Sequence, residues 1–283
     1  MIFMHYDQIG LDRQYDQPVW ATNSAQIISR YTDSSERVRK ILGEPKTFSY
    51  GLTAAETLDV YPTQQANAPI HAFIHGGAWR LLSKRDSAFA AETFVRAGAH
   101  FVALDFALLP NVTLTEMVDQ VRRAVGWLYR HAARFGGAAG RIHISGHSSG
   151  GHLAACVAVT DWTRYGLPSD VVKSTLCASG IYDLLPVRLS ARNKYLKLDA
   201  ETEHSMSPIR HLRHLNSRIL VAHGSLESDE LKRQSRAFAD ALGPFLAAPL
   251  AVYEQMNHYE VAETLADPTA KLGRAALSLM DLK

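Results

Sequence analysis

Two kinds of apolar pattern alternate along this chain. Ile70-His71-Ala72-Phe73-Ile74, Ile142-His143-Ile144, Arg218-Ile219-Leu220-Val221-Ala222-His223 and Leu250-Ala251-Val252-Tyr253 are short, apolar-rich and bounded by turn residues, so each reads as a buried strand. Between them lie segments with helical spacing. The clearest starts at Thr113, where Thr113 and Glu116 form a capping box. Leu114, Met117, Val118, Val121, Val125 and Leu128 then supply a core stripe, and Gly136-Gly137 is the expected stop. Ser24 to Leu42 is also predicted helical, with Arg30, Arg37, Arg39 and Lys40 on a solvated face or over the mouth of a site. Strands alternating with amphipathic helices predict an α/β protein with a mostly parallel sheet covered on both faces. No repeat, linker or low-complexity tract divides residues 1–283, so one domain is expected, opening with a helical segment over about residues 1–45.

Composition narrows the function classes. A chain of 283 residues with 47% hydrophobic content can bury one large core. Its net charge of +2 gives no reason to expect nucleic acid or a membrane surface as partner. Two cysteines, Cys156 and Cys177, are too few for a disulfide framework and are expected to be reduced. Met1 to Gly10 lacks the basic start and apolar stretch of an export signal, and no long apolar run occurs, so the cytoplasm is the expected location.

The chemistry concentrates at Gly146-His147-Ser148-Ser149-Gly150, which follows a strand and precedes the helical series Leu153, Ala154, Val157, Ala158. Small residues around a serine let the chain turn sharply from strand to helix and leave the hydroxyl exposed, which is a nucleophile elbow. Upstream, a strand empties into His75-Gly76-Gly77-Ala78-Trp79. Paired glycines there would bring N–H groups close to a small anion, so Gly76 and Gly77 with Ser149 are the expected oxyanion donors, and Ala78 could replace one glycine. His75 is expected to brace that loop. A later strand ends in Gly224-Ser225-Leu226-Glu227-Ser228-Asp229-Glu230. Glu227 is best placed as the acid, Asp229 competes with it, and Asp183 is a remoter choice. Of 13 histidines, His258 follows the last strand, and the order Ser148, Glu227, His258 is that of α/β-hydrolases. Imidazole titrates near neutrality, as a base for serine must. No metal-ligand spacing such as His-Glu-x-x-His occurs, and neither metal nor cofactor is expected.

These motifs resemble the kynurenine formamidase (arylformamidase) branch of the α/β-hydrolases, near the esterases with His-Gly-Gly loops. The resemblance rests on Leu11 to Tyr15, Leu58 to Pro62, His75 to Arg80, Gly146 to Gly150, Gly180 to Leu184, Ser207-Pro208, Arg233-Gln234-Ser235 and Asn257-His258. Aligning on Arg233-Gln234 puts the family's acid at Glu227. Two positions depart from the pattern: the family usually has Tyr at Ala78 and often Ala at Ser149. Loss of the tyrosine would enlarge or reshape the acyl pocket. The resemblance implies an α/β-hydrolase fold with a small cap at about residues 184–210, where strand periodicity is absent. It further implies acyl transfer to Ser148, with His258 as base and Glu227 orienting it. Trp79, Tyr182 and Tyr259 are the expected pocket walls, which would suit a flat aromatic amide or ester. A small-molecule substrate is the expected partner, and a homodimer remains open. A general carboxylesterase and a silent ligand-binding protein are the competing readings.

Overall fold

The computed structural model describes every residue except Leu246, Pro249 and Lys283, and the side chain of Pro244. The eight strands it describes are β1 Lys46–Ser49, β2 Thr57–Tyr61, β3 Ala68–Ile74, β4 His100–Leu104, β5 Gly137–His147, β6 Val172–Ala178, β7 Arg218–Gly224 and β8 Ala251–Tyr253. They form one sheet in the order β1-β2-β4-β3-β5-β6-β7-β8. The pairs made by β2 with β1 and with β4 are antiparallel, and the remaining pairs are parallel.

Strand sequence explains the two-faced core. Alternate residues point to opposite sides of a strand. Ile70, Ala72 and Ile74 of β3 therefore join one apolar cluster with Val102 and Leu104 of β4, while Phe73, Phe101 and Ala103 join the other. The helices Leu114–His131, Ser149–Ala158 and Asp229–Leu242 cover the first face; Ser24–Leu42, Ala91–Arg96 and Lys271–Leu279 cover the second. Histidines inside strands are paired: His71 Nε2 lies 2.7 Å from Ser145 Oγ and His143 Nδ1 lies 2.8 Å from Ser174 Oγ.

Local signals set the boundaries. The Thr113 side chain accepts from the Glu116 N–H and Glu116 reaches back, as a capping box requires. That helix stops at His131, a 3₁₀ turn carries the chain to Phe135, and Gly136 reverses it at φ +85°. Gly137 already belongs to β5, so the apolar helix ends earlier than the Gly-Gly signal suggests.

Two peripheral segments meet over the carboxyl end of the sheet. One is the pair of short helices Gln8–Tyr15 and Gln17–Trp20; the other is the β6–β7 connection with helices Leu185–Leu189, Asn193–Leu196 and Ala200–Ser205. Asp12 accepts the Ala191 N–H at 2.6 Å, and Arg192 donates to the Tyr15 carbonyl at 2.6 Å. Buried Gln234 ties both to the body, because its Oε1 accepts from Tyr182 and Asp183 N–H while its amide donates to the Asp183 carbonyl and, at 3.4 Å, to the Tyr15 hydroxyl. The Arg-bearing helix Ser24–Leu42 lies elsewhere: Arg30 forks onto Glu263 at 2.8 and 2.6 Å, and Arg39 donates to the Arg85 carbonyl.

Candidate active site

β5 runs into the helix Ser149–Ala158 through Ser148, whose φ of 58° and ψ of −123° make it the sharp point of the turn. A side chain at residue 150 would put its Cβ 2.1 Å from the Ile74 carbonyl oxygen, so only glycine lets the helix start this close to β3. Ser148 is held there by its N–H, which donates to the Ala178 carbonyl at 2.9 Å.

Three side chains distant in sequence meet at this point. Ser148 Oγ is 2.9 Å from His258 Nε2, and His258 Nδ1 is 3.1 Å from Glu227 Oε2. The consistent tautomer has Nδ1–H donating to the carboxylate and Nε2 accepting from the serine hydroxyl. Glu227 is buried, which by itself would raise its pKa. Hydrogen bonds and charge from His258, the Ser179 hydroxyl at 2.6 Å and the Gly224 N–H at 2.6 Å outweigh burial and hold the carboxyl below its ordinary value. The competing acids are occupied elsewhere. Asp229 pairs with Lys232 at 3.0 Å with its side chain 71% exposed, and Asp183 pairs with Arg210 at 3.0 Å.

The loop after β3 faces the elbow. A Cβ built on Gly76 would lie 3.1 Å from Ser148 Cβ. Gly77, Ala78 and Trp79 follow one another at φ +97°, +53° and +61°, a left-handed turn that ordinary residues adopt only at a cost of about 1 to 3 kcal/mol each. Specific bonds hold it. Ser149 Oγ accepts the Trp79 N–H at 3.1 Å, the Trp79 indole donates to His152 Nδ1 at 3.3 Å, and His75 Nδ1–H donates to the Gly76 carbonyl at 2.9 Å. The backbone N–H groups of Gly76, Gly77, Ala78 and Ser149 have no internal acceptor among the described residues.

The BD-FAE family model matches residues 58–242. The kynurenine formamidase of Danio rerio is 31% identical over 95% of both chains. This chain belongs to the kynurenine formamidase family. The esterase LipQ of Mycobacterium tuberculosis is 26% identical over 85% of this chain and 62% of its own length. In fold, the chain superposes on a crystal structure from Silicibacter sp. TM1040 with a TM-score of 0.83 at 24% identity, over 94% of this chain and 98% of the other. The fold is that of the α/β-hydrolases, and the protein is a hydrolase of ester or amide bonds.

Against the family pattern, Ala78 and Ser149 now have visible consequences. Ser149 supplies the tether to Trp79, which an alanine could not. Ala78 borders an open cavity of about 850 Å³ that the two peripheral segments line, together with Tyr15, Arg80, Arg192, Tyr195 and Tyr259. Tyr259, one of the expected aromatic walls, thus faces this cavity. Trp79 and Tyr182 do not: both have no exposed surface. Trp79 turns inward because its indole bonds His152, and Tyr182 stacks on Phe238 at 4.1 Å beneath the helix Asp229–Leu242. Tyr195 and Arg80, whose guanidinium lies 4.5 Å over the Tyr195 ring, take the places those two were expected to fill. Nothing local marks Tyr195, since its segment reads only as aperiodic. Ser179 was equally hidden, although its place just past the end of β6 puts it at the same sheet edge as Ser148 and Glu227.

Proposed function

We propose that the protein is a serine hydrolase working through an acyl-enzyme. His258 Nε2 takes the Ser148 proton as the hydroxyl oxygen attacks the acyl carbon, and then gives that proton to the leaving amine or alcohol. A water molecule repeats the sequence on the acyl-serine and regenerates the enzyme. Glu227 holds the imidazole in its Nδ1–H tautomer and stabilises the imidazolium. The unpaired N–H groups of Gly76, Gly77, Ala78 and Ser149 supply the donors to the oxyanion of both tetrahedral intermediates. The observation that carries this reading is the continuous bond line from Ser148 through His258 to Glu227, at 2.9 and 3.1 Å, beside that set of free donors.

The substrate reading is a small aromatic acyl-amine of the arylformamide kind. It is supported by the kynurenine formamidase relatives and by the tyrosine-rich cavity next to the oxyanion loop. A carboxylesterase is the second reading, favoured by the small Ala78 at the cavity and by the likeness to LipQ. Hydrolysis of N-formylkynurenine beside p-nitrophenyl acetate and butyrate, with wild type and Ser148→Ala, tests both. Efficient formamide turnover lost in the variant supports the formamidase reading. Turnover of the esters alone replaces it with the esterase reading, and full activity of the variant overturns the serine mechanism.

A further inference from the structure

His147 stands directly before the nucleophile, where elbows favour any residue the turn tolerates, and it is buried. Its Nε2 is 2.7 Å from the backbone carbonyl oxygen of His258, 111 positions away in sequence. The two imidazoles lie with centroids 4.7 Å apart and a 45° tilt. A carbonyl only accepts, so His147 must carry its proton on Nε2 and donate it. Other bonds tie the His258 loop to different neighbours: Asn257 donates to Asn23 Oδ1 at 2.8 Å, the Met256 carbonyl accepts the Leu226 N–H at 3.1 Å, and Tyr31 donates to the Tyr259 carbonyl at 2.5 Å, whereas the His147 bond joins the loop directly to the nucleophile elbow. Ser148 is fixed to β6 through the Ala178 carbonyl, whereas His258 sits in a loop after the short strand β8.

We infer that His147 is a positioning residue that fastens the base-bearing loop directly to the nucleophile elbow, so that Ser148 Oγ and His258 Nε2 keep their separation through the catalytic cycle. The inference rests on the serine mechanism proposed above. Burial supports it by pushing the His147 pKa down to about 3, so the ring stays a neutral donor while its neighbour His258 gains and loses a proton. A ring that took up that proton would set a positive charge 4.7 Å from His258 and oppose the imidazolium that forms there. Neutral His147 does not.

The test compares His147→Phe and His147→Gln, with active sites counted by fluorophosphonate labelling of Ser148 and turnover of a p-nitrophenyl ester measured per labelled site. The phenylalanine leaves the His258 carbonyl unpaired, and kcat should fall about tenfold to a hundredfold with KM nearly unchanged. The glutamine amide can donate to the same carbonyl, and kcat should return to within a few-fold of wild type. Equal kcat per site in wild type and His147→Phe overturns the inference, as does an equal loss in both variants. A readout on the unmodified protein covers the case of a variant that does not fold. In ¹⁵N-histidine spectra of the wild type, the His147 ring resonance, assigned by through-bond correlation to the backbone of residues 147 and 148, should hold the Nε2–H tautomer from about pH 5 to pH 8. An Nδ1–H tautomer, or titration in that range, overturns it. Should Ser148→Ala keep its activity, the serine mechanism itself fails; should only the His147 results go the wrong way, that mechanism stands without this anchor.

Discussion

The proposed reacting groups and the cavity wall of this protein are built in opposite ways. Around Ser148 the side chains are buried and held by specific bonds: the Glu227 carboxylate receives His258, Ser179 and Gly224, and the loop after β3 is tied through Ser149, Trp79 and His75. The cavity wall comes from segments that meet each other more than they meet the sheet, through Asp12 with Ala191 and Arg192 with Tyr15. Its rim carries exposed apolar side chains, Ile9 and Leu81, and a guanidinium whose partner is a tyrosine face. Preorganised dipoles and a fixed base stabilise charge without reorganising, so the chemistry demands the first construction. Discrimination between acyl or leaving groups needs only shape, and a wall built apart from the sheet can differ in shape without disturbing the proposed rate machinery.

That contrast predicts a graded set of effects. Ser148→Ala should lower turnover by roughly 10⁴-fold or more with little change in thermal stability; a loss under tenfold in a steady-state ester assay would place the nucleophile elsewhere. Next, Glu227→Gln should cost roughly 10²-fold to 10⁴-fold, since an amide cannot hold the imidazole tautomer in the same way, while exposed Asp229→Asn should stay within about twofold. The reverse ranking would mean that the acid acts from the helix rather than from the loop. Ser149→Ala should reduce kcat about fivefold to tenfold by freeing the Trp79 N–H, with the same factor for acetate and butyrate esters. Ala78→Tyr should do the opposite: a change of roughly tenfold in the butyrate-to-acetate ratio of kcat/KM, with a smaller effect on the acetate ester alone. If the two variants behave alike, rate and specificity are not separable here. The smallest effect concerns pH. Burial pushes His143 and His152 down to about 4, so both stay neutral in the fold while the unfolded chain takes up protons below about pH 6.5. Their contribution to stability is therefore full above that value and lost as pH falls toward about 4. Tm should drop across this window, and His143→Gln, far from the site, should flatten the drop slightly.

How much of this was legible beforehand follows from how local each signal is. Gly146 to Gly150 can be read because a strand-to-helix reversal has steric requirements carried by adjacent residues. Glu227, Asp229 and Asp183 could be ranked by spacing and by the family match on Arg233-Gln234 but not placed, since a shift of two residues in a loop moves a carboxylate by several ångströms. The aromatic walls were misjudged at Trp79 and Tyr182 because an aromatic beside a functional loop can turn toward the cavity or the core with the same sequence around it. Which way it turns depends on whether a buried partner waits for it, and His152 and Phe238 come from other parts of the chain.

The sequence by itself determined the alternation of strands and helices, the turn that exposes Ser148, the glycines that admit a left-handed loop after β3, and the order in which serine, acid and histidine arrive. All of these are set by sterics, periodicity and capping within a few neighbouring residues. Only the tertiary structure decided that Glu227 is the carboxylate touching His258, that His147 bonds the carbonyl of that same residue, and that residues near 12 and 192 line an open cavity beside Ala78. Those contacts join positions that a parallel sheet brings to one edge, and their energies depend on burial, which exists only once the whole sheet and both its helix layers have assembled.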